Sequence, residues 1–285
     1  MKYIFIILLT ISSLSHILAQ TCCKKSVENS MAVFASSKSF KDAHALPAKI
    51  HYTTTIGRWV EFDTPDGKKS KAFIFYNDTK TNNYLIMIHE WWGLNDNVKK
   101  EGEMWYNDLK ACNVICLDLY DGKTATDRST ASKYMQENDA KRSTAIIQGA
   151  LKLIGNDANI ATIGWCFGGG WSLQAAIEAQ TKAKACVIYY GMPEKNIERL
   201  KKLNAEVLGL YAEKDQWITK DLINKFDADM KAAGKKFTQK WYKADHAFAN
   251  PSNPQHNLVA TVDAFIQSGR FIKEKMGLAS LESEK

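Results

Sequence analysis

The chain has 285 residues, 45% hydrophobic and 24% charged, a balance that suits one sizeable core and excludes a disordered or fibrous chain. The net charge of +7 comes from lysines spread along the sequence. There is no dense basic block interleaved with aromatics, so no nucleic-acid partner is expected.

The chain opens MKYIFIILLTISSLSHILAQ. Lys2 supplies a positive start, an apolar stretch follows, and Ala19 is a small residue suited to the position before a cleavage point. Residues 1–19 are therefore predicted to be an export signal, which makes the protein periplasmic or secreted. The alternative is a retained anchor. A lipoprotein attached through Cys22 fits less well, because Gln20-Thr21 lacks the small residue that lipid attachment needs. No other segment is long and apolar enough to span a bilayer.

Residues 20–52 carry Ser and Lys clusters without a strong period, and an extended or partly helical lead-in is expected. One domain is expected over residues 53–278, with a short tail at 279–285. Residues 58–63 (RWVEFD) and 71–76 (KAFIFY) flank Pro65-Asp66-Gly67 and predict a hairpin. The apolar run 84–88 (YLIMI) predicts a strand covered on both faces. Further strands are expected at 114–119, 160–164, 185–190, 207–211 and 237–242. Helices are expected between them at 98–110, 127–154 in two pieces, 167–179, 196–203 and 220–233, the last ending at Gly234. A long final helix covers 255–275. This alternation predicts an α/β fold with a mostly parallel sheet and helices on both faces.

Six cysteines are present: Cys22, Cys23, Cys112, Cys116, Cys166 and Cys186. They are too few for a disulfide framework in a chain this long. Cys116 and Cys186 lie in apolar runs and read as small core residues.

Cys166 is different. Gly164-Trp165-Cys166-Phe167-Gly168 has the form G-x-C-x-G between a strand and a helix, the nucleophile-elbow pattern of α/β-hydrolases with Cys in place of Ser. The helix start beside the sulfur favours a thiolate and offers N–H groups to an oxyanion. A nucleophile requires a base, and the base an orienting acid. In this fold the chain order is nucleophile, acid, histidine. His246 follows one strand, Asp215 follows another, and the order is met. Glu213 is the fallback acid, and His256 reads as a surface residue.

Ile88 to Asn95 (IHEWWGLN) follows another buried strand. His89-Glu90 fails the H-E-x-x-H zinc pattern at Gly93, so neither a metal nor a cofactor is expected. The position matches the loop that gives the second oxyanion N–H, so the backbone of Trp91 and Phe167 forms the expected pair. Glu90 would then lie near the sulfur, where a carboxylate opposes thiolate formation.

With HEWWGLN, VICLDLYDGK, GWCFGGGWS, the Asp215 loop and DHAFANP in place, the chain resembles the dienelactone hydrolase family of α/β-hydrolases from about Gly57 to Lys273. The resemblance implies hydrolysis of a small ester or lactone through an acyl-cysteine, with Cys166, His246 and Asp215 as the triad. It also implies that Glu90 helps keep the thiol protonated until substrate binds. Two arginines that hold the substrate carboxylate in that family are absent: Asp121-Gly122-Lys123 stands at one place and Asn250 at the other. Lys123 supplies a point charge rather than a bidentate grip. Trp92, Tyr120, Lys123 and Asn250 are the expected substrate contacts, with Trp165 and Tyr190 as further aromatic lining. A monomer is expected. The missing arginines leave a competing expectation, a ligand-binding protein on a hydrolase scaffold. A thiol-redox role is the third, weakened by the lack of C-x-x-C.

Overall fold

The computed structural model describes residues 31–278. The expected export signal at 1–19, Cys22, Cys23 and the tail at 279–285 lie outside the described residues.

Eight strands form one sheet: β1 (Gly57–Asp63), β2 (Lys69–Phe75), β3 (Asn83–Ile88), β4 (Asn113–Leu117), β5 (Asn159–Trp165), β6 (Ala183–Tyr189), β7 (Glu206–Ala212) and β8 (Phe237–Tyr242). Their order is β1-β2-β4-β3-β5-β6-β7-β8. The β1–β2 hairpin and the β2–β4 pair are antiparallel, and every other pair is parallel. All five residues of β4 are buried, as the apolar run 114–117 demands of a strand covered on both sides.

The helices are α1 (Ala32–Ala35), α2 (Lys38–Asp42), α3 (Asp96–Leu109), α4 (Arg128–Gln136), α5 (Ala140–Ile154), α6 (Phe167–Ala179), α7 (Ile197–Leu200), α8 (Lys220–Ala232) and α9 (Leu258–Met276). The predicted two pieces over 127–154 are α4 and α5, each capped by an aspartate, Asp127 and Asp139. Gly234 stands at φ +71 just beyond α8. α3 and α9 pack together against the sheet, as do α5 and α6. No helix among the described residues is long and apolar enough to cross a membrane.

The strand order reverses around β3, which has β4 on one side and β5 on the other. A crevice forms at the carboxyl ends of strands where such a reversal occurs. Glu90, Cys166, Tyr190, Asp215 and His246 all follow the carboxyl ends of parallel strands.

The expected lead-in is more than a lead-in. Met31, Ala35 and Phe40 are buried in the same core as the sheet. Ser132 Oγ donates to the Ala35 carbonyl at 2.7 Å, Arg128 Nε to the His44 carbonyl at 2.6 Å and Asn97 to the Ala48 carbonyl at 3.0 Å. These bonds strap residues 35–48 across the mouth of the crevice.

Candidate active site

Cys166 sits between β5 and α6 with φ 54 and ψ −114, a conformation that L-residues avoid. Such strain costs on the order of 1–3 kcal/mol and persists only where the surroundings enforce it. Here the glycines enforce it. A Cβ on Gly164 would run into the Gly168 carbonyl, and a Cβ on Gly168 into the carbonyls of Ile88 and His89. The tight turn therefore needs both glycines and brings α6 against the end of β3.

His246 approaches from the loop after β8, with its Nε2 3.4 Å from Cys166 Sγ. Its Nδ1 lies 2.6 Å from Asp215 Oδ2. A carboxylate only accepts, so Nδ1 carries a proton and the Nε2 edge of the ring faces the sulfur. The other Asp215 oxygen accepts from the backbone N–H groups of Trp217 and Ile218, each at 2.9 Å. Burial pushes the Asp215 pKa up, but His246 and those two N–H groups outweigh it, and the net direction is down. Burial pushes His246 the other way, toward the neutral form; Asp215 and Cys166 prevail and raise it. For Cys166, burial raises the thiol, His246 pulls it back, Glu90 adds to the rise and the Phe167 N–H opposes it. The net direction is up, so the resting sulfur holds its proton. Glu213, the fallback acid, is exposed, and His256 bonds Thr261 instead.

Glu90 receives a 2.7 Å hydrogen bond from Asn250 Nδ2 and a 3.3 Å bond from the Tyr190 hydroxyl. Burial raises its carboxyl pKa against both bonds and against the charge of His246. Trp91 is fully buried and Phe167 is 1% exposed. Both residues stand where the elbow meets the β3 loop.

The expected substrate contacts separate. Trp92 lines a cavity of about 360 Å³ together with Glu90, Trp165, Tyr190 and Asn250. Asn250 is committed to Glu90. Tyr120 is buried against His89, Phe167 and Tyr134, and its hydroxyl has no partner. Lys123 is not brought to the sulfur. It lines a separate cleft with Tyr134 and Arg142, its Nζ 5.7 Å from the Tyr134 ring centroid. The turn explains this placement: Asp121 and Gly122 have φ 51 and 88, and Asp121 is held by two bonds from Arg142, at 2.8 and 2.6 Å.

Three residues at the site, His44, Asn253 and Phe40, carry no motif. His44, from the loop after α2, is 2% exposed and places Nε2 3.8 Å from Cys166 Sγ. Its Nδ1 lies 2.7 Å from the Phe40 carbonyl, so Nδ1 is the protonated nitrogen. Burial and the nearby His246 drive its pKa down to about 3. Asn253 donates to the carbonyls of His246 and Ala247 at 3.0 and 3.3 Å and fixes the histidine loop. Phe40 stands edge-on to Trp91 and Trp217, ring centroids 5.4 and 5.1 Å apart. Cys166 is fully buried beneath this layer. A wider cavity of about 1000 Å³ lies between the 46–50 segment, Trp59 and Thr124, and Cys166 is not among its lining residues.

The sheet order, the elbow and the strand-end loops define an α/β-hydrolase. The sequence profile of the dienelactone hydrolase family matches residues 71–276, and the chain belongs to that family. Relatives are distant. Protein usf of Aquifex pyrophilus is 25% identical over 232 residues, 77% of this chain and 99% of its own. Carboxymethylenebutenolidase 1 of Cupriavidus pinatubonensis is 22% identical over 219 residues, covering 72% and 92%. A solved dienelactone hydrolase-like promiscuous phosphotriesterase from metagenomic libraries superposes with a TM-score of 0.68 at 16% identity, covering 78% of this chain and 100% of that one.

Proposed function

We propose that the protein hydrolyses a small carboxylic ester or lactone through an acyl-cysteine on Cys166. The observation that carries this reading is the line Asp215–His246–Cys166, with 2.6 Å on one side of the imidazole and 3.4 Å on the other. Substrate enters the cavity lined by Glu90, Trp92 and Tyr190. The thiol proton passes to His246 Nε2, and the sulfur attacks the carbonyl carbon. The resulting oxyanion is met by the N–H groups of Phe167 and Trp91. Collapse breaks the C–O bond, and the departing alkoxide takes the proton from His246. Water then gives a proton to His246, attacks the thioester and releases the acid, and the sulfur recovers its proton. Asp215 keeps the imidazole in the required tautomer throughout. Glu90 holds the resting thiol in its protonated form. This keeps a buried sulfur from reacting before a substrate is in place.

Hydrolysis of a panel of short aryl esters and small lactones by the wild type and Cys166→Ala tests the reading. Turnover lost in the variant supports it, and full turnover in the variant removes it. The second reading, a binding protein without turnover, is favoured by one observation: the sulfur is fully buried beneath Phe40 and His44. It predicts ligand binding with no acyl-enzyme, which mass spectrometry of protein mixed with an aryl ester detects. Export through residues 1–19 belongs to the same proposal. The amino-terminal sequence of the protein recovered outside the cytoplasm tests it.

A further inference from the structure

We propose that His44, Cys166 and His246 bind a soft divalent cation of the zinc type, and that the cation-bound protein is the inactive form of the hydrolase. The inhibitory half rests on the reading of Cys166 as the nucleophile; the binding half does not.

Sγ of Cys166 and the Nε2 atoms of both histidines all lie within 4.8 Å of one another. The sulfur is 3.8 Å from His44 and 3.4 Å from His246. Zinc bonds of about 2.3 Å to sulfur and about 2.0–2.1 Å to nitrogen give tetrahedral ligand–ligand edges of about 3.4–3.6 Å. Two of the edges therefore need almost no movement.

The ring orientations point the same way. Each Nδ1 is held by its own partner, Asp215 for His246 and the Phe40 carbonyl for His44, so both Nε2 atoms face one sulfur. A cation is the partner that takes both nitrogens and the sulfur together.

The surroundings are also those of a metal site. Ligand histidines nearly always donate their other N–H to a carboxylate or a backbone carbonyl, which fixes the ring and raises its basicity. His246 donates to Asp215 at 2.6 Å and His44 to the Phe40 carbonyl at 2.7 Å. Two imidazoles and a thiolate form a set that soft or borderline metals prefer over magnesium or calcium. Binding replaces the S–H bond with a sulfur–metal bond and releases one proton to solvent. The sulfur lone pair that would attack a carbonyl is then held by the metal. Three ligands leave a fourth position for water. The ligands are 122 and 80 residues apart in the chain, so no sequence spacing announces them.

The test uses the full chain, stripped with a chelator and titrated with Co²⁺, then with Zn²⁺ in competition. The expected result is one ion per chain and a thiolate-to-cobalt charge-transfer band. That band is lost in Cys166→Ser, and affinity falls at least 10-fold in His44→Gln. X-ray absorption of the zinc-loaded wild type gives one sulfur and two imidazole ligands, and it decides the matter if His44→Gln fails to fold. No charge-transfer band at micromolar cobalt, or binding unchanged by either substitution, overturns the proposal. The readout is independent of turnover. Cobalt binding by a protein that shows no esterase activity when metal-free overturns only the hydrolase reading, and esterase activity in the metal-free protein without cobalt binding overturns only this one.

Discussion

Asn250 donates a 2.7 Å hydrogen bond to Glu90. The side chain expected to touch substrate supports a carboxylate beside the sulfur from within the same cavity. Asn250→Ala leaves one Glu90 oxygen without that donor, at a cost of about 1–3 kcal/mol when the carboxylate is charged. The protonated carboxyl needs the donor less. The loss measured by urea denaturation is therefore larger at pH 8 than at pH 5, and an equal loss at both would show that Asn250 does not act on the Glu90 charge.

Asp215→Asn keeps the shape of the acid but can donate to His246, which favours the wrong tautomer. The kcat for ester hydrolysis should fall by about 10³-fold or more, with little change in KM. Stopped-flow measurement on the best ester in the panel checks this. A loss below tenfold would mean that Asp215 does not orient the imidazole.

Phe40→Ala opens the layer over the sulfur. Removing a fully buried phenylalanine costs about 3–5 kcal/mol, so folding is first verified by circular dichroism. Iodoacetamide should then label Cys166 at least tenfold faster than in the wild type, while Cys186, deep in the core, keeps its rate. Unchanged labelling of Cys166 would show that Phe40 does not control access.

Glu101 on α3 lines the same cavity as Glu90. Burial, with the nearby Glu90 charge, raises its carboxyl pKa to about 7. The folded state therefore holds its proton more tightly than the unfolded chain. Stability from this group is full below about pH 4.5 and is lost as pH rises through about 7. The difference amounts to about 2–3 kcal/mol at most, given some exposure to solvent. Glu101→Gln should remove this loss and be the more stable protein at pH 8. Thermal melts across pH 5–8 measure it.

Much of this architecture was legible in the sequence, for physical reasons. A strand covered on both faces must be apolar throughout, so β3, β4 and β6 stand out as short unbroken runs. Asp215 follows another largely apolar strand, β7, and His246 the half-polar edge strand β8, and their order after Cys166 limits the pairing. The elbow glycines announce a close approach that no Cβ can survive. His44 was not legible: residues 20–52 have no period, and its place beside Cys166 depends on bonds to Ser132, Arg128 and Asn97 formed only when α3 and α4 are in position. Lys123 and Asn250 were placed by resemblance. The structure puts Lys123 in a separate cleft with Tyr134 and Arg142, and Asn250 in the Glu90 cavity with its amide bonded to that carboxylate.

The family profile begins at residue 71, yet Phe40 and His44, which cover the sulfur, lie upstream of it. The segment that matches the family profile carries Cys166, Asp215 and His246, while a stretch upstream of it supplies the front wall. Exchanging that wall for another sequence would leave all eight strands intact. It would change what covers Cys166, so the surroundings of that sulfur are set partly outside the segment by which the kinship is recognised.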